Sequence, residues 1–301
     1  MPLWIAATLF AAFMQNLRFL LQRHLKVTTL STLGATWARF AFAVPFVALV
    51  LAAHLAMRGQ TLPTADAAFW AYAVTGALAQ LLATACVVTL FTQRNFAVGI
   101  TLKKTEVILT ALIGLIVLGE GVSPSVVAAI AVGFVGVVLL ADPPQVQTSW
   151  TARLFNSASG YGLASGLLFG VSAVCYRGAT LSLAGGDEFL RATVALMVAT
   201  SVQTLSLGAW LAWRESGEIA RVLTAWRVAL PTGLTSMLGS LGWFTAFALQ
   251  SAAHVKALGQ IELVFTFLFS TFWLRERSSA KELLGIALVV GSVLLIFLGS
   301  I

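Results

Sequence analysis

The 301-residue chain is 59% apolar and 10% charged, with 18 basic side chains, 11 acidic ones and a mean hydropathy of +0.94. A water-soluble globule carries about a quarter charged residues. Water therefore cannot be the main solvent of this surface, and the composition points to an integral membrane protein. The net charge of +7 reads as basic residues facing anionic lipid at membrane edges, not as a nucleic-acid footprint. Cys86 and Cys175 each lie inside an apolar run, which suits small packing residues better than a disulfide or a metal site.

A helix crossing a bilayer needs about 20 apolar residues. In chain order, candidates fall near 3–22, 30–56, 67–92, 97–118, 123–141, 158–178, 188–213, 226–250, 253–274 and 281–300. The first runs into Arg18, Arg23 and Lys26 with no basic residue ahead of it, unlike a cleaved signal peptide. The second contains Trp37, Arg39 and Pro45, and the third Tyr72 and Gln80. The fourth is unusual in carrying Lys103, Lys104 and Glu106. Arg191 lies in the seventh, Pro231 and Trp243 in the eighth, and Lys256, Gln260 and Glu262 in the ninth. Short connections rich in Gly, Pro, Asp or Arg separate the segments, and period-2 alternation does not recur as a barrel would require.

The most polar connector, 142–157, divides the chain near its middle. Sliding the sequence by 156 residues places Glu106 on Glu262, Glu120 on Glu276, Ser123 on Ser279 and Leu139 on Leu295. With small gaps, Arg18 corresponds to Arg177, Arg39 to Arg191 and Trp70 to Trp226. The expectation is an all-α integral membrane protein of ten transmembrane helices, built as two five-helix repeats, 1–141 and 158–301. An odd number of helices per copy gives the copies opposite topology, as in secondary transporters that hold substrate between their halves and work by alternating access. With both repeats in one chain, a monomer is expected. Basic residues cluster in one set of loops (Arg23, Lys26, Arg94, Arg153, Arg214, Arg221, Arg227, Arg275, Arg277 and Lys281), so the positive-inside rule puts both termini on the non-cytoplasmic side.

Particular motifs resemble a known family. Leu118-Gly119-Glu120, followed by Val122-Ser123 and Val132-Gly133-Phe134-Val135-Gly136-Val137, resembles the ten-helix EamA branch of the drug/metabolite transporter superfamily. In the second copy Ile261-Glu262-Leu263-Val264-Phe265, Arg275-Glu276-Arg277 and Leu284-Gly285-Ile286-Ala287-Leu288 are similar to the family's corresponding stretches, and Arg39-Phe40 looks like its helix-2 arginine. Leu263 stands where proline is usual and Arg275 where glycine is usual. Within the family the chain most resembles the bacterial aromatic amino-acid exporters of the YddG type. That resemblance implies export of amphipathic aromatic metabolites across a bacterial inner membrane, without a cofactor and without catalysis.

A charge at the centre of the hydrocarbon costs on the order of 3 kcal/mol by insertion scales, so such residues face a bundle interior or a wet cavity. Arg39, Lys103, Lys104, Glu106, Arg191, Lys256 and Glu262 are the candidates. Lys103 and Glu106 share one helix face, whereas Lys104 is turned away toward a neighbouring helix or the headgroups. Lys256 and Gln260 share a face of the ninth segment. Lysines on the corresponding helices of the related plastid sugar-phosphate translocators hold an anionic group. By analogy Lys103 or Lys256 meets a substrate carboxylate; alternatively each lysine permanently neutralises Glu106 or Glu262. Trp37, Tyr72, Tyr176 and Trp243 are candidates for stacking on a flat substrate, and Gln80 adds hydrogen-bonding capacity. Trp4, Trp150 and Trp226, near segment ends, suit interfacial anchoring. Pro45 and Pro231 loosen their helices, and Ala129-xxx-Gly133 and Ala287-xxx-Gly291 suit close helix contact. Glu106 or Glu262 either carries a coupling proton or stays ion-paired.

Rival functions find little support. No Gly-Lys dipeptide exists for a P-loop, and no His-Glu-x-x-His for a metalloprotease. Ser240 and His254 form no recognisable protease motif, and Asp66, Asp142 and Asp187 are not paired as a polyprenyl transferase would need. A membrane channel is the principal alternative to a carrier.

Overall fold

The computed structural model describes residues 1–28, 30–90, 103–140, 157–265, 268 and 280–298. Helix α1 spans Leu3–Thr28, α2 Thr32–Ala41, α3 Val44–Arg58, α4 Ala67–Leu90, α5 Glu106–Leu118 and α6 Pro124–Leu140. In the later part α7 spans Ser157–Ser182, α8 Glu188–Arg214, α9 Glu218–Thr224, α10 Trp226–Leu249, α11 Ala252–Leu258 and α12 Ala280–Leu298. Strand β1 (Thr64–Ala65) pairs antiparallel with β2 (Leu183–Ala184), with Thr64 opposite Ala184.

Among the described residues four helical stretches are long and apolar enough to cross a bilayer: Thr32–Arg58, Ala67–Val87, Ser159–Ser182 and Glu188–Arg214. Glu106–Leu118, Pro124–Leu139 and Leu283–Ile296 are shorter apolar helices. The large apolar side chains Leu49, Ile116, Leu205 and Trp213 point outward, while Ala11, Ala73, Ser165 and Thr193 are buried. Small residues at helix contacts and leucines outside are the arrangement lipid favours, because lipid tails are as apolar as leucine and burying leucine gains nothing. The protein is an all-α, multi-pass membrane protein.

The chain forms two compact units, one of Met1–Leu78 with Cys175–Gln250 and one of Ala79–Val174 with Ser251–Ile301. In the first, α1 packs along α10, and α8 packs against α2, α3 and α10. A Cβ at Gly242 would sit 2.9 Å from the Ala7 carbonyl oxygen and the Ala11 Cβ, so the α1–α10 approach depends on that glycine. In the second unit α6 packs along α12, and α11 against α5. There the Ser292 hydroxyl donates to the Ala129 carbonyl at 2.7 Å, and a Cβ at Gly136 would lie 2.8 Å from the Gly285 carbonyl oxygen. The Ala129-xxx-Gly133 spacing thus falls in a tight contact, whereas a Cβ at Gly291 would meet nothing within 4 Å.

Several local features differ from the sequence expectation. The segment expected at 30–56 is broken at Phe42–Ala43, and Pro45 lies in the first turn of α3. Proline has no N–H and its ring crowds the carbonyl four residues back, here that of Ala41. Pro231, by contrast, lies inside a continuous α10. The ninth segment leaves α geometry after Leu258 for a 3-10 turn, Gly259–Ile261. Trp4, expected at the interface, is buried with 6% exposure, because a helix end can face a neighbouring helix as well as lipid. Trp226 is exposed, with the Arg227 guanidinium 5.7 Å from its ring centre. Arg214 lies 4.0 Å over Trp213; these pairs have the chemistry of an interfacial belt. Arg94, Trp150, Arg153, Arg275, Glu276 and Arg277 lie outside the described residues, as does the connector 142–156.

Candidate functional site

In the second unit the chain brings five largely buried charges together. Helix α5 begins at Glu106, directly after a turn at Lys104–Thr105. Glycines on α7 let that helix come close: a Cβ at Gly166 would lie 2.9 Å from the Lys103 carbonyl oxygen. Glu106 is buried, with 6% exposure, and receives two ammonium groups, Lys103 at 3.5 Å and Lys256 of α11 at 3.6 Å. Lys104, turned to the other side, forms an ion pair with Glu262 just beyond the 3-10 turn. Lys103 and Lys256 also lie 4.9 and 5.9 Å from the ring centre of Phe169, where the π face adds a weak attraction. Gln260 is buried beside Lys104, Val107 and Ser292 in a narrow crevice, and its Oε1 has no hydrogen-bond partner among the described residues.

Among the described residues three ammonium groups face two carboxylates. The sequence geometry anticipated the Lys103–Glu106 pair and the divergence of Lys104. The meeting of Lys256 with Glu106, and of Lys104 with Glu262, joins segments far apart in sequence and needed the fold.

The remaining predicted residues are placed differently. Gln80 is half-buried on α4. Trp37 Nε1 donates to the Thr204 carbonyl at 2.9 Å, which ties α2 to α8. Trp243 Nε1 donates to Gln15 Oε1 at 3.2 Å, linking α10 to α1. The Tyr72 ring lies against α7 where Gly178 leaves room for it. Tyr176 is fully buried, its ring 4.3 Å from that of Phe244. Arg191 belongs to the first turns of α8, 3.4 Å from Glu188, at the helix start and not at mid-span. Arg39, in the last turn of α2, is buried with 6% exposure, and its guanidinium carbon lies 4.4 Å from the Phe40 ring centre.

Three contributors escaped the sequence reading. Gln203 is buried on α8 and donates to the Ala77 carbonyl and the Tyr176 hydroxyl, both at 3.2 Å. A single glutamine inside the apolar run 188–213 was the available signal. Phe169 gave none, being one apolar residue among many. Arg177 donates to the carbonyls of Phe247 and Ala248 at 2.7 and 2.9 Å, closing the C-terminal end of α10.

The first unit also holds a cavity of about 360 Å³ lined by Leu3, His54, Arg58, Asp187, Phe189 and Leu249. Asp187 caps α8, accepting from the Leu190 amide at 2.8 Å, and lies 3.1 Å from His54 Nε2. Partial burial works against the Asp187 charge. The Leu190 amide, His54 and Gln60 outweigh it and hold the carboxyl below the usual carboxylate range.

The fold and the buried charges define a helical membrane protein with a polar interior site. Residues 156–298 match the EamA-like transporter family, which supports the resemblance to the drug/metabolite transporter superfamily. A solved crystal structure superimposes with a TM-score of 0.71, covering 97% of this chain and 96% of its own at 16% sequence identity, a likeness of fold. No curated protein matches the chain in sequence.

Proposed function

We propose that the chain is a secondary transporter that exports small amphipathic solutes, aromatic amino acids or related flat compounds, by alternating access. The observation that carries this reading is the buried cluster of Lys103, Lys104, Glu106, Lys256 and Glu262 within an otherwise apolar helical protein. Ionisable groups at such depth are costly and mark solute paths. Among the described residues the cluster's ammonium groups outnumber its carboxylates, which suits a solute with an anionic group, while ion pairing keeps each glutamate compensated.

In this reading ten spanning helices form two inverted repeats, 1–141 and 158–301, joined by 142–157, and the protein acts as a monomer in a bacterial inner membrane with both termini outside the cytoplasm. Two observations support the repeat. Glu106 and its repeat mate Glu262 each follow directly on a non-α turn, at Lys104–Thr105 and at Gly259–Ile261, and those turns align under the 156-residue shift. The family match over 156–298 falls within a few residues of the second repeat.

The test is a substrate screen in proteoliposomes containing aromatic amino acids, aromatic acids and flat cations. Saturable uptake of at least one solute is expected, reduced in Lys103→Ala or Lys256→Ala at equal reconstitution. No uptake across the screen overturns the reading, and flux rising linearly with concentration points to a channel.

A further inference from the structure

Arg39 differs in kind from the other buried charges. Among the described residues its guanidinium makes no hydrogen bond and no ion pair, and its Nε is shut away from solvent without a partner. No described carboxylate of its own unit forms an ion pair with it: Glu188 lies 3.4 Å from Arg191, and Glu215 follows the C-terminal end of α8. Asp66 accepts from the Phe69 amide at 2.8 Å, Asp187 caps α8, and Glu218 takes the Ser31 amide and Arg221. The charged group that acts on Arg39 most strongly is another cation, Arg18 of α1. A bundle interior does not hold a permanently charged guanidinium, repelled by a second cation, without an anion to compensate it. The described residues supply none.

The surroundings suggest what does. Tyr176 lies close enough to interact with Arg39 electrostatically, its ring packs on Phe244, and Gln203 fixes its hydroxyl. Phe40 lies against the guanidinium itself. A planar fork of N–H donors beside aromatic rings fits a carboxylate attached to a flat apolar body, because guanidinium binds carboxylate in two parallel hydrogen bonds.

We propose that Arg39 is the anchor for the carboxylate of the transported solute, an aromatic amino acid or aromatic acid. This inference rests on the carrier reading and names the solute's charged group. It also assigns that group to Arg39 and not to Lys103 or Lys256, both of which are ion-paired with Glu106.

The experiment uses the full chain in phosphatidylcholine nanodiscs, where no anionic headgroup competes. Thermal unfolding is followed with tryptophan and indole-3-acetate, and with their uncharged-carboxyl counterparts tryptophanamide and indole-3-acetamide. At least one acid is expected to raise the wild-type midpoint while its amide does not. In Arg39→Gln the acid's affinity falls by about 10- to 100-fold, with partial recovery in Arg39→Lys. The ligand-free midpoint of Arg39→Gln stays level or rises, which distinguishes a lost ligand contact from a lost fold. Equal binding of acid and amide, unchanged acid affinity in Arg39→Gln, or stabilisation only by added phosphatidylglycerol overturns the proposal. Wild type that transports flat cations yet binds no acid overturns it too, while leaving the carrier reading in place.

Discussion

The two units handle buried charge in opposite ways. Around Glu106 every charge has an ion-pair partner: Lys103 and Lys256 share one carboxylate, and Lys104 holds the other. At Arg39 no described residue offers a carboxylate. A compensated cluster contributes to the fold once its desolvation is offset, so disrupting one member strands the others. An uncompensated charge only costs stability, and its retention needs a role outside folding. The contrast separates charges paired within the fold from the residue proposed to grip the solute.

Opposite responses to substitution should expose the difference. Glu106→Gln leaves Lys103 and Lys256 beside each other without their carboxylate, and unfolding in nanodiscs should show a loss of about 3–5 kcal/mol. Adding Lys103→Met should restore part of that loss. Arg39→Met, which removes a charge of the same depth, should leave ligand-free stability unchanged or higher by about 1–4 kcal/mol. A loss at Arg39 as large as that at Glu106 would abolish the distinction.

Smaller effects sharpen the packing side of the comparison. Gly136→Ala places a Cβ 2.8 Å from the Gly285 carbonyl and should cost about 1–3 kcal/mol. Gly291→Ala on α12 meets nothing within 4 Å and should be neutral or stabilising by about 0.5–1 kcal/mol. Identical substitutions of opposite sign would be read from the same melting series. Least in size is Asp187→Ala, which removes the α8 cap at a cost of about 1 kcal/mol. Since the folded Asp187 carboxyl titrates below its usual range, its contribution is present above the ordinary carboxylate pKa and fades as pH falls through the lowered folded value. The difference between wild type and Asp187→Ala should therefore narrow in acid.

Much of this was legible in the chain itself. Apolar runs of spanning length have few alternatives to helix, so α4 at Ala67–Leu90 and α8 at Glu188–Arg214 fall close to the expected 67–92 and 188–213. Helical angle alone indicated that Lys103 would meet Glu106 and that Lys104 would not. Helix angle does not say which helix comes alongside, so the Lys256–Glu106 and Lys104–Glu262 pairs were open. For the same reason the position of Trp4 near a segment end suggests a lipid anchor, whereas the side chain packs inward. Trp37 and Trp243 read as stacking surfaces, yet their indole N–H groups link helices. The solitary state of Arg39 is a property of its neighbours and could not be read from Arg39-Phe40.

Counterflow tests the central claim most directly. Proteoliposomes loaded with unlabelled tryptophan and diluted into a trace of labelled tryptophan should accumulate label transiently above equilibrium, because an alternating-access carrier exchanges solute across the bilayer. Label that only approaches equilibrium, with no overshoot at any internal concentration, would contradict the carrier account.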